Sequence, residues 1–256
     1  MFFDTHIHSA YSHDSQMPLE QAIARARELD LGMVLTEHID INYPDPTAFR
    51  LDIAGYFRDY LPFRSEAVLL GVEIGLGILE CEDNRRIAIS HPFDYVLGSI
   101  HLVNGIDTYS PEYYRGKSKQ IAYGEYLDFM LACVKCCEYI DSLGHIDYIC
   151  RYAPYPDTEL YYDEYRDKID AVLKQVADSG KCLELNTRRL GDKAAAQALL
   201  PIYRRFAELG GQYATVGSDA HNTGNIGKYF ATARELLQEC GLTPVYFKDR
   251  KLIPIE

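Results

Sequence analysis

The sequence predicts an α/β protein, a slightly irregular parallel barrel of seven strands formed by the whole 256-residue chain. Three observations predict it. Strand-like and helix-like segments alternate from end to end, the pattern left by repeated strand–crossover–strand units. No low-complexity linker, internal repeat or composition break marks a second domain, and this length suits one barrel over residues 1–256. A doubly wound sheet would carry a Gly-rich phosphate turn after its first strand, and none is present.

The first strand is FFDTHIH, and MPLEQAIARARELD follows with helical periodicity. GMVLTEH forms the second strand, LDIAGYFRDYLPFRSEA its crossover, and VLLGVEIG the third strand. The link LGILECEDNRRIAISHPF is shorter and less regular than the other crossovers. DYVLGSIHLV is expected as the fourth strand, with YGEYLDFMLACVKCCEYIDSL as a long helix after it. LGHIDYI, KCLELNT and YATVGSDAH complete the strands. Their helices are YDEYRDKIDAVLKQVADSG, AAAQALLPIYRRFAELG and, last, NIGKYFATARELLQECG.

Composition excludes several functions. A net charge of −12 disfavours a nucleic-acid partner, and the basic runs at 84–86, 187–189 and 203–205 are too short for a duplex footprint. The longest apolar runs are strand-sized, so no membrane partner is expected. The N-terminus lacks the basic start and apolar run of a signal peptide, which points to the cytoplasm. Seven cysteines in irregular positions fit a reducing compartment better than a disulfide framework. CVKCC resembles a metal knuckle, but no second pair at zinc-finger spacing accompanies it. Cys133, Cys136 and Cys137 are therefore expected to face the core from their helix.

Histidine carries the functional signal. Of eight in the chain, His6, His8 and His13 fall in the opening stretch, beside Asp14. His6 and His8 are two apart, so a strand sends both imidazoles to one face. His38 closes the second strand, Glu73 the third, and His101 lies near the end of the fourth. His145 belongs to the fifth, and Asp219 and His221 close the seventh. In a barrel the C-terminal strand ends meet at one face, where active sites are built. Core histidines would not share one end, so this distribution reads as a metal site. His91, before a proline between elements, reads as a surface or loop residue.

In order along the chain, DTHIHS with SHDS, TEH, GVEIG, GSIH, GHIDY and GSDAH resemble the polymerase and histidinol phosphatase (PHP) family of metallohydrolases. The resemblance covers essentially the whole chain. The stand-alone length and the segment GHIDYICRYAPY are most similar to the histidinol-phosphatase branch. It implies a distorted seven-stranded (β/α)7 TIM-like barrel and three divalent metal ions, zinc, manganese or iron. It further implies that His6, His8, Glu73 and Asp219 hold the first ion. Glu73 would bridge to a second, completed by His101 and His145, and His38, His221 and Asp14 would hold the third. Asp14 is chosen over His13 because it lies six past His8, where family members carry His or Asp.

The reaction expected from the resemblance is hydrolysis of a small phosphate ester, most closely L-histidinol phosphate in histidine biosynthesis. Three divalent ions with Asp14, Glu73 and Asp219 give a local charge of +3, which attracts a phosphate dianion to an acidic protein. Water bridging two metals becomes a nucleophile near neutral pH. Asp219, His221 and Arg151 are the expected catalytic groups. Arg151 and Arg188 are expected to contact substrate, with Asn186 lining the pocket from the one strand end lacking a metal ligand. Asp147 could orient an imidazole. TRR at 187–189 departs from the small residues that relatives carry there. Two other functions fit the same residues: a phosphatase for another small ester, a nucleotide or a phosphotyrosyl peptide, and a non-catalytic metal-binding regulatory domain.

Overall fold

A computed structural model describes residues 1–255; Glu256, the last residue of the expected domain, lies outside the described residues. The chain runs β1 (Phe2–Ile7), α1 (Leu19–Glu28), β2 (Leu31–Ile39), α2 (Ile53–Tyr60), β3 (Val68–Gly75), α3 (Cys81–Ser90) and β4 (Tyr95–Ser99). Next come β5 (Leu102–Val103), β6 (Ile106–Asp107), α4 (Pro111–Tyr114), α5 (Lys119–Cys136), β7 (Ser142–Leu143) and α6 (Arg166–Asp178). The chain ends with β8 (Cys182–Asn186), α7 (Lys193–Glu208), β9 (Tyr213–Gly217), α8 (Phe230–Cys240), β10 (Thr243–Lys248) and β11 (Lys251–Pro254). The central sheet follows the order β1-β2-β3-β4-β7-β8-β9-β10-β11 and is parallel until β11 turns back on β10.

Burial on both faces explains why β3 reads VLLGVEIG: every residue of it is buried, as a central parallel strand requires. Most of the longer helices pack on the sheet through one apolar stripe, whereas α5 is buried around most of its circumference. In α1, Leu19, Ala22, Ile23 and Ala26 are the buried positions, spaced at three and four residues. Ser118 caps α5 by accepting from the Ile121 amide, and Asp192 caps α7 by accepting from Ala194. Gly241 ends α8 at φ 70°, a left-handed conformation glycine adopts without a Cβ clash. No described helix is long and apolar enough to cross a membrane.

The strand beginnings enclose a separate small core of Phe3, Val34, Leu69, Tyr95, Leu97 and Cys182, completed by Val245 and Phe247 of β10. Tyr246 stacks on Phe3 at 3.8 Å between centroids. The C-terminal hairpin β10–β11 thus packs against the ends where the strands start, leaving the opposite ends free. It was not expected from the sequence. The last strand end also reaches the first: the His8 amide donates to the Ala220 carbonyl at 2.9 Å, in a parallel bridge of Ile7 to Ala220.

Several boundaries differ from expectation. The fifth strand is only Ser142–Leu143 rather than LGHIDYI, and residues 148–151 form a 3-10 turn. The His145 amide donates to the Glu184 carboxylate at 2.9 Å instead of continuing a ladder, which releases the chain from the sheet. DYVLGSIHLV divides into β4 and β5. β5 and β6 form a hairpin through Asn104 and Gly105, at φ 51° and 79°, a turn that Asn-Gly favours. The irregular link contains a true helix, α3, and the long helix stops at Cys136. Cys133 and Cys137 are buried as expected, but Cys136 at the frayed end reaches solvent.

Gly217 ends β9 where a Cβ would collide with the His6 side chain and the Glu184 carboxylate. Gly217→Ala should therefore cost about 1–3 kcal/mol of stability through overpacking. Urea unfolding of both proteins at equal metal loading checks this, and an unchanged midpoint would show that His6 can yield.

Candidate metal centre

Every strand of the parallel set from β1 to β9 delivers a polar side chain at or just past its C-terminal end. His6 lies within β1 and His8 follows it, both on the inner side as a two-residue spacing dictates. His38 and Glu73 are direct partners in the register of β2 and β3, so their side chains share one face. His101 follows β4, His145 follows β7, and Asp219 and His221 follow β9. Asp219 holds φ 53°, a left-handed conformation that aspartate tolerates better than most residues. Asp14 reaches the group from the loop after β1.

These side chains converge. Glu73, fully buried, places Oε2 3.1 Å from His6 Nε2, 3.4 Å from His8 Nε2 and 3.0 Å from His38 Nδ1. Its other oxygen, Oε1, lies 3.3 Å from His101 Nε2 and 3.1 Å from His145 Nε2. Asp219 Oδ1 is 3.7 Å from His6 Nε2, 3.4 Å from His8 Nε2 and 3.6 Å from His221 Nδ1. Asp14 Oδ2 is 3.0 Å from His221 Nε2 and 3.7 Å from His38 Nε2. Within 4.8 Å of one another lie ligand atoms of His6, His8 and Glu73; of His38, Glu73 and His101; of His8, His38 and His221; and of His6, His145 and Asp219. His13 instead sits at the surface, its ring 5.2 Å from Phe49. His91 packs flat on Phe57 at 5.1 Å, outside this group.

The donor set fits a divalent cation. His6 Nδ1 faces Glu184 Oε1 at 2.6 Å, and His101 Nδ1 faces Asp40 Oδ1 at 2.9 Å. His8 Nδ1 meets Ser12 Oγ at 3.0 Å, and that hydroxyl donates to Glu37 Oε2 at 2.6 Å. His221 Nδ1 faces the Asp219 carbonyl at 3.0 Å. Each of these acceptors fixes the ring proton on Nδ1 and turns the Nε2 lone pair inward. Lone pairs then face lone pairs: His6 Nε2 and His8 Nε2 stand 2.9 Å apart with carboxylate oxygens beside them. A proton on one ring or a cation between them satisfies such an arrangement, and the mixed imidazole and carboxylate donors suit the cation.

Protonation divides the rings of the group. Burial and the neighbouring imidazoles of His38 and His221 hold His8 well below the usual histidine range, and burial also lowers His145. Burial would raise Glu73, yet His6, His38 and His101 hold it well below the carboxylate range. Asp219 is likewise held down against burial, by Arg151 and His6. Burial opposes charge on His6, and Glu184 with Glu73 reverses this. Burial likewise opposes charge on His38 and His101, and their carboxylate neighbours reverse it, so these rings hold protons that a bound cation would displace, while His8 and His145 are already neutral.

A cavity of about 220 Å³ opens over this group, lined by Asp14, His101, Asp219, Tyr148, Arg151 and Arg188 among others. Arg151 Nη1 donates to Asp219 Oδ2 at 2.5 Å, its guanidinium lies over the Tyr148 ring, and its buried Nε has no partner. Arg188 Nη1 is 3.6 Å from the same carboxylate oxygen and is partly exposed. Asn186 does not line the cavity. Its amide donates to Glu184 Oε2 at 3.3 Å and its carbonyl accepts from the Arg188 amide, so it serves the strand end. Asp147 does not orient an imidazole either: it accepts from Arg189 Nη1 at 2.9 Å, and Arg189 also pairs with Glu159. In the TRR segment one arginine is thus internal and the other faces the cavity.

Sequence reasoning missed Glu184, Asp40, Ser12 and Glu37. Each had a signal. Glu184 alternates with Asn186 on the inner side of an apolar strand, and Asp40 stands two residues from His38, on the same side.

A PHP domain model matches residues 4–188. The chain belongs to the PHP domain family. It is 50% identical to the probable histidinol-phosphatase of Clostridium acetobutylicum, over 98% of each chain. Against the histidinol-phosphatase of Lactococcus lactis it is 32% identical, covering 93% of this chain and 91% of that one. The crystal structure of histidinol phosphate phosphatase from Lactococcus lactis, complexed with zinc, L-histidinol and phosphate, matches with a TM-score of 0.92. That match covers 98% of both chains at 30% identity.

Removing the acceptor behind His6 should loosen the centre without touching a ligand. Glu184→Gln is expected to weaken zinc binding about ten- to a hundred-fold, read by competition with a chelator. Wild-type affinity would show that His6 needs no anchor. Asp14→Asn should shed one metal per chain while His13→Asn sheds none, measured by elemental analysis. The reverse ranking would hand the ligand role to His13.

Proposed function

We propose that the chain is a metal-dependent phosphomonoesterase that hydrolyses L-histidinol phosphate to L-histidinol and phosphate. One observation carries the reading: the wall of the cavity joins the ligand cluster to the guanidinium groups of Arg151 and Arg188. The histidinol-phosphatase names of its relatives, and the zinc, L-histidinol and phosphate in the Lactococcus lactis structure, support the same substrate. Three divalent ions, zinc, manganese or iron, are assigned. His6, His8, Glu73 and Asp219 would hold one; Glu73, His101 and His145 the next; Asp14, His38 and His221 the last. The two oxygens of Glu73 facing different imidazoles support a shared carboxylate. The scaffold is taken as a single distorted (β/α)7 barrel domain over residues 1–256. The bridge between Ile7 and Ala220 supports its closure.

Bound cations supply Lewis acidity to a phosphoryl oxygen and acidify the attacking water. The protein's own groups do the rest. Arg151, held by Asp219 and the Tyr148 ring, presents its remaining N–H groups to the phosphate. Arg188 adds a second cationic donor at the mouth. Tyr148 and Tyr152 form the apolar part of the wall and limit water entry.

A recess of about 50 Å³ adjoins the cavity through Asp14, His38, His101 and Tyr148. Asp40, Asp107, Tyr43 and Phe49 complete it. Carboxylates beside aromatic rings suit the cationic amine of an amino alcohol leaving group. Asp107→Asn should therefore raise KM for histidinol phosphate several-fold and leave that for an uncharged alkyl phosphate unchanged. Equal effects on both esters would remove the recess from recognition.

Arg151 can be tested directly. Arg151→Ala should lower kcat/KM on histidinol phosphate by about thirty- to a thousand-fold, the worth of a charged hydrogen bond of roughly 2–4 kcal/mol. Arg151→Lys keeps a cation beside Asp219, and should recover only part of the loss because a point charge lacks the two-pronged contact. Metal content is measured alongside. Full metal content with wild-type kcat/KM in the alanine variant would exclude Arg151 from phosphate binding. No turnover of histidinol phosphate by metal-loaded wild type would exclude the function itself.

A further inference from the structure

The cysteines at the end of α5 share no residue with the imidazole–carboxylate centre, and nothing in the proposed phosphatase uses them. Cys136 and Cys137 end that helix, and Cys81 opens α3. The fold brings Cys81 to them across 55 residues of sequence, a meeting invisible in the CVKCC string. Cys81 Sγ and Cys137 Sγ are 3.6 Å apart, as are Cys136 Sγ and Cys137 Sγ. All three sulfurs lie within 4.8 Å of one another.

That spacing distinguishes ligation from oxidation. Zinc bonds thiolate at about 2.3 Å in a tetrahedron, which sets neighbouring sulfurs about 3.8 Å apart. A disulfide needs about 2.05 Å, and adjacent residues hold their Cα atoms about 3.8 Å apart, below the usual disulfide range. The Cys136–Cys137 edge is thus suited to a shared cation and poorly suited to a bond. A second observation points the same way. The Tyr139 hydroxyl is buried beside Cys137 and Asn84 and makes no well-formed hydrogen bond to either. A thiol is a weak acceptor for it, and a metal-bound thiolate is a good one. Cys81 at the first position of a ten-residue helix has the helix N-terminus to stabilise its thiolate.

We propose that Cys81, Cys136 and Cys137 form a thiolate site for zinc or another thiophilic divalent cation, pinning α3 to the end of α5. Three thiols give their protons to solvent on binding, so the site with one divalent ion carries a charge of −1. The fourth position is open to water, since Cys136 lies at the surface.

Cobalt distinguishes this site from the imidazole centre, because only thiolate ligands give an intense near-ultraviolet charge-transfer band. Full-length protein loaded with Co²⁺ in reducing buffer should show that band, and added Zn²⁺ should bleach it. Cys81→Ser and Cys136→Ser should each lose the band and one metal per chain, with phosphatase turnover unchanged. Glu73→Gln should keep the band while losing metal from the other centre. Because Cys136 is at the surface, its variant stays informative if Cys81→Ser fails to fold. Absence of the band in wild type, or its survival in Cys136→Ser, would overturn the proposal. So would a mass two hydrogens light with Cys81 joined to Cys137 in protein purified under reducing conditions.

Discussion

The buried carboxylate of Glu73 is surrounded by five imidazoles, and the open end of the sheet is organised about it. An isolated ionised carboxylate taken out of water costs several kcal/mol, so its position demands compensating positive charge. Backbone donors do not supply it, because Glu73 belongs to a strand whose amides are committed to β2 and β4. The compensation comes from side chains on other strands and from what those side chains hold. Each imidazole faces one carboxylate oxygen from its own direction. The two oxygens are therefore differentiated: Oε2 toward His6, His8 and His38, and Oε1 toward His101 and His145. One residue couples two ligand groups that would otherwise be independent.

Holding five imidazoles against one carboxylate requires that the rings cannot turn away. Glu184, Asp40 and the Ser12–Glu37 pair meet this need by occupying the far ring nitrogens of His6, His101 and His8. These are further buried acids, so the centre is built of acceptors in two layers with rings between. The acids draw protons onto His6, His38 and His101 until cations displace them, and the geometry survives the exchange because strands on either side are packed into the core. Local charge then reverses the sign of the surrounding protein. A chain of net charge −12 can attract a phosphate dianion only where concentrated cations outweigh its own acids.

Legibility in the sequence followed periodicity. His38 and Glu73 sit on regular strands, where a period of two assigns a face; His6 lies where the β1 register shifts and His8 just past that strand, yet the spacing of two still turns all four inward as expected. His145 was placed at the correct end for an incomplete reason. Its segment leaves the sheet after Leu143 and is held by a side chain of β8, a tertiary contact that local patterning does not encode. Asn186 was misjudged similarly, since a strand-end amide can face the cavity or its neighbour, and Glu184 decides between them. The C-terminal hairpin escaped notice because its burial alternates against strand starts distant in sequence. Cys81 met Cys137 for the same kind of reason.

The two ends of the sheet divide the work. At the strand starts, aromatic stacking of Phe3 on Tyr246 and of Tyr95 on Phe247 gives an apolar seal, and the acids beside it, Asp94 and Asp141, are each paired with an arginine, Arg64 and Arg250. At the strand ends every acid and imidazole needs a partner, and Arg151 shows how tightly the partners are shared. Its guanidinium neutralises Asp219, which also faces His6 and His8, so one cation supports both the ligand cluster and the cavity wall. Because Asp219 and Tyr148 already fix the plane of that guanidinium, a phosphate bound as proposed would meet N–H groups whose direction was set before it arrived. Little side-chain entropy would then remain to be lost on binding, and the buried Nε that has no partner would be free to gain one. The unsatisfied donor in the wall and the excess of lone pairs beneath it are complementary deficits, and a phosphate ester bound to cations, as proposed, would fill both.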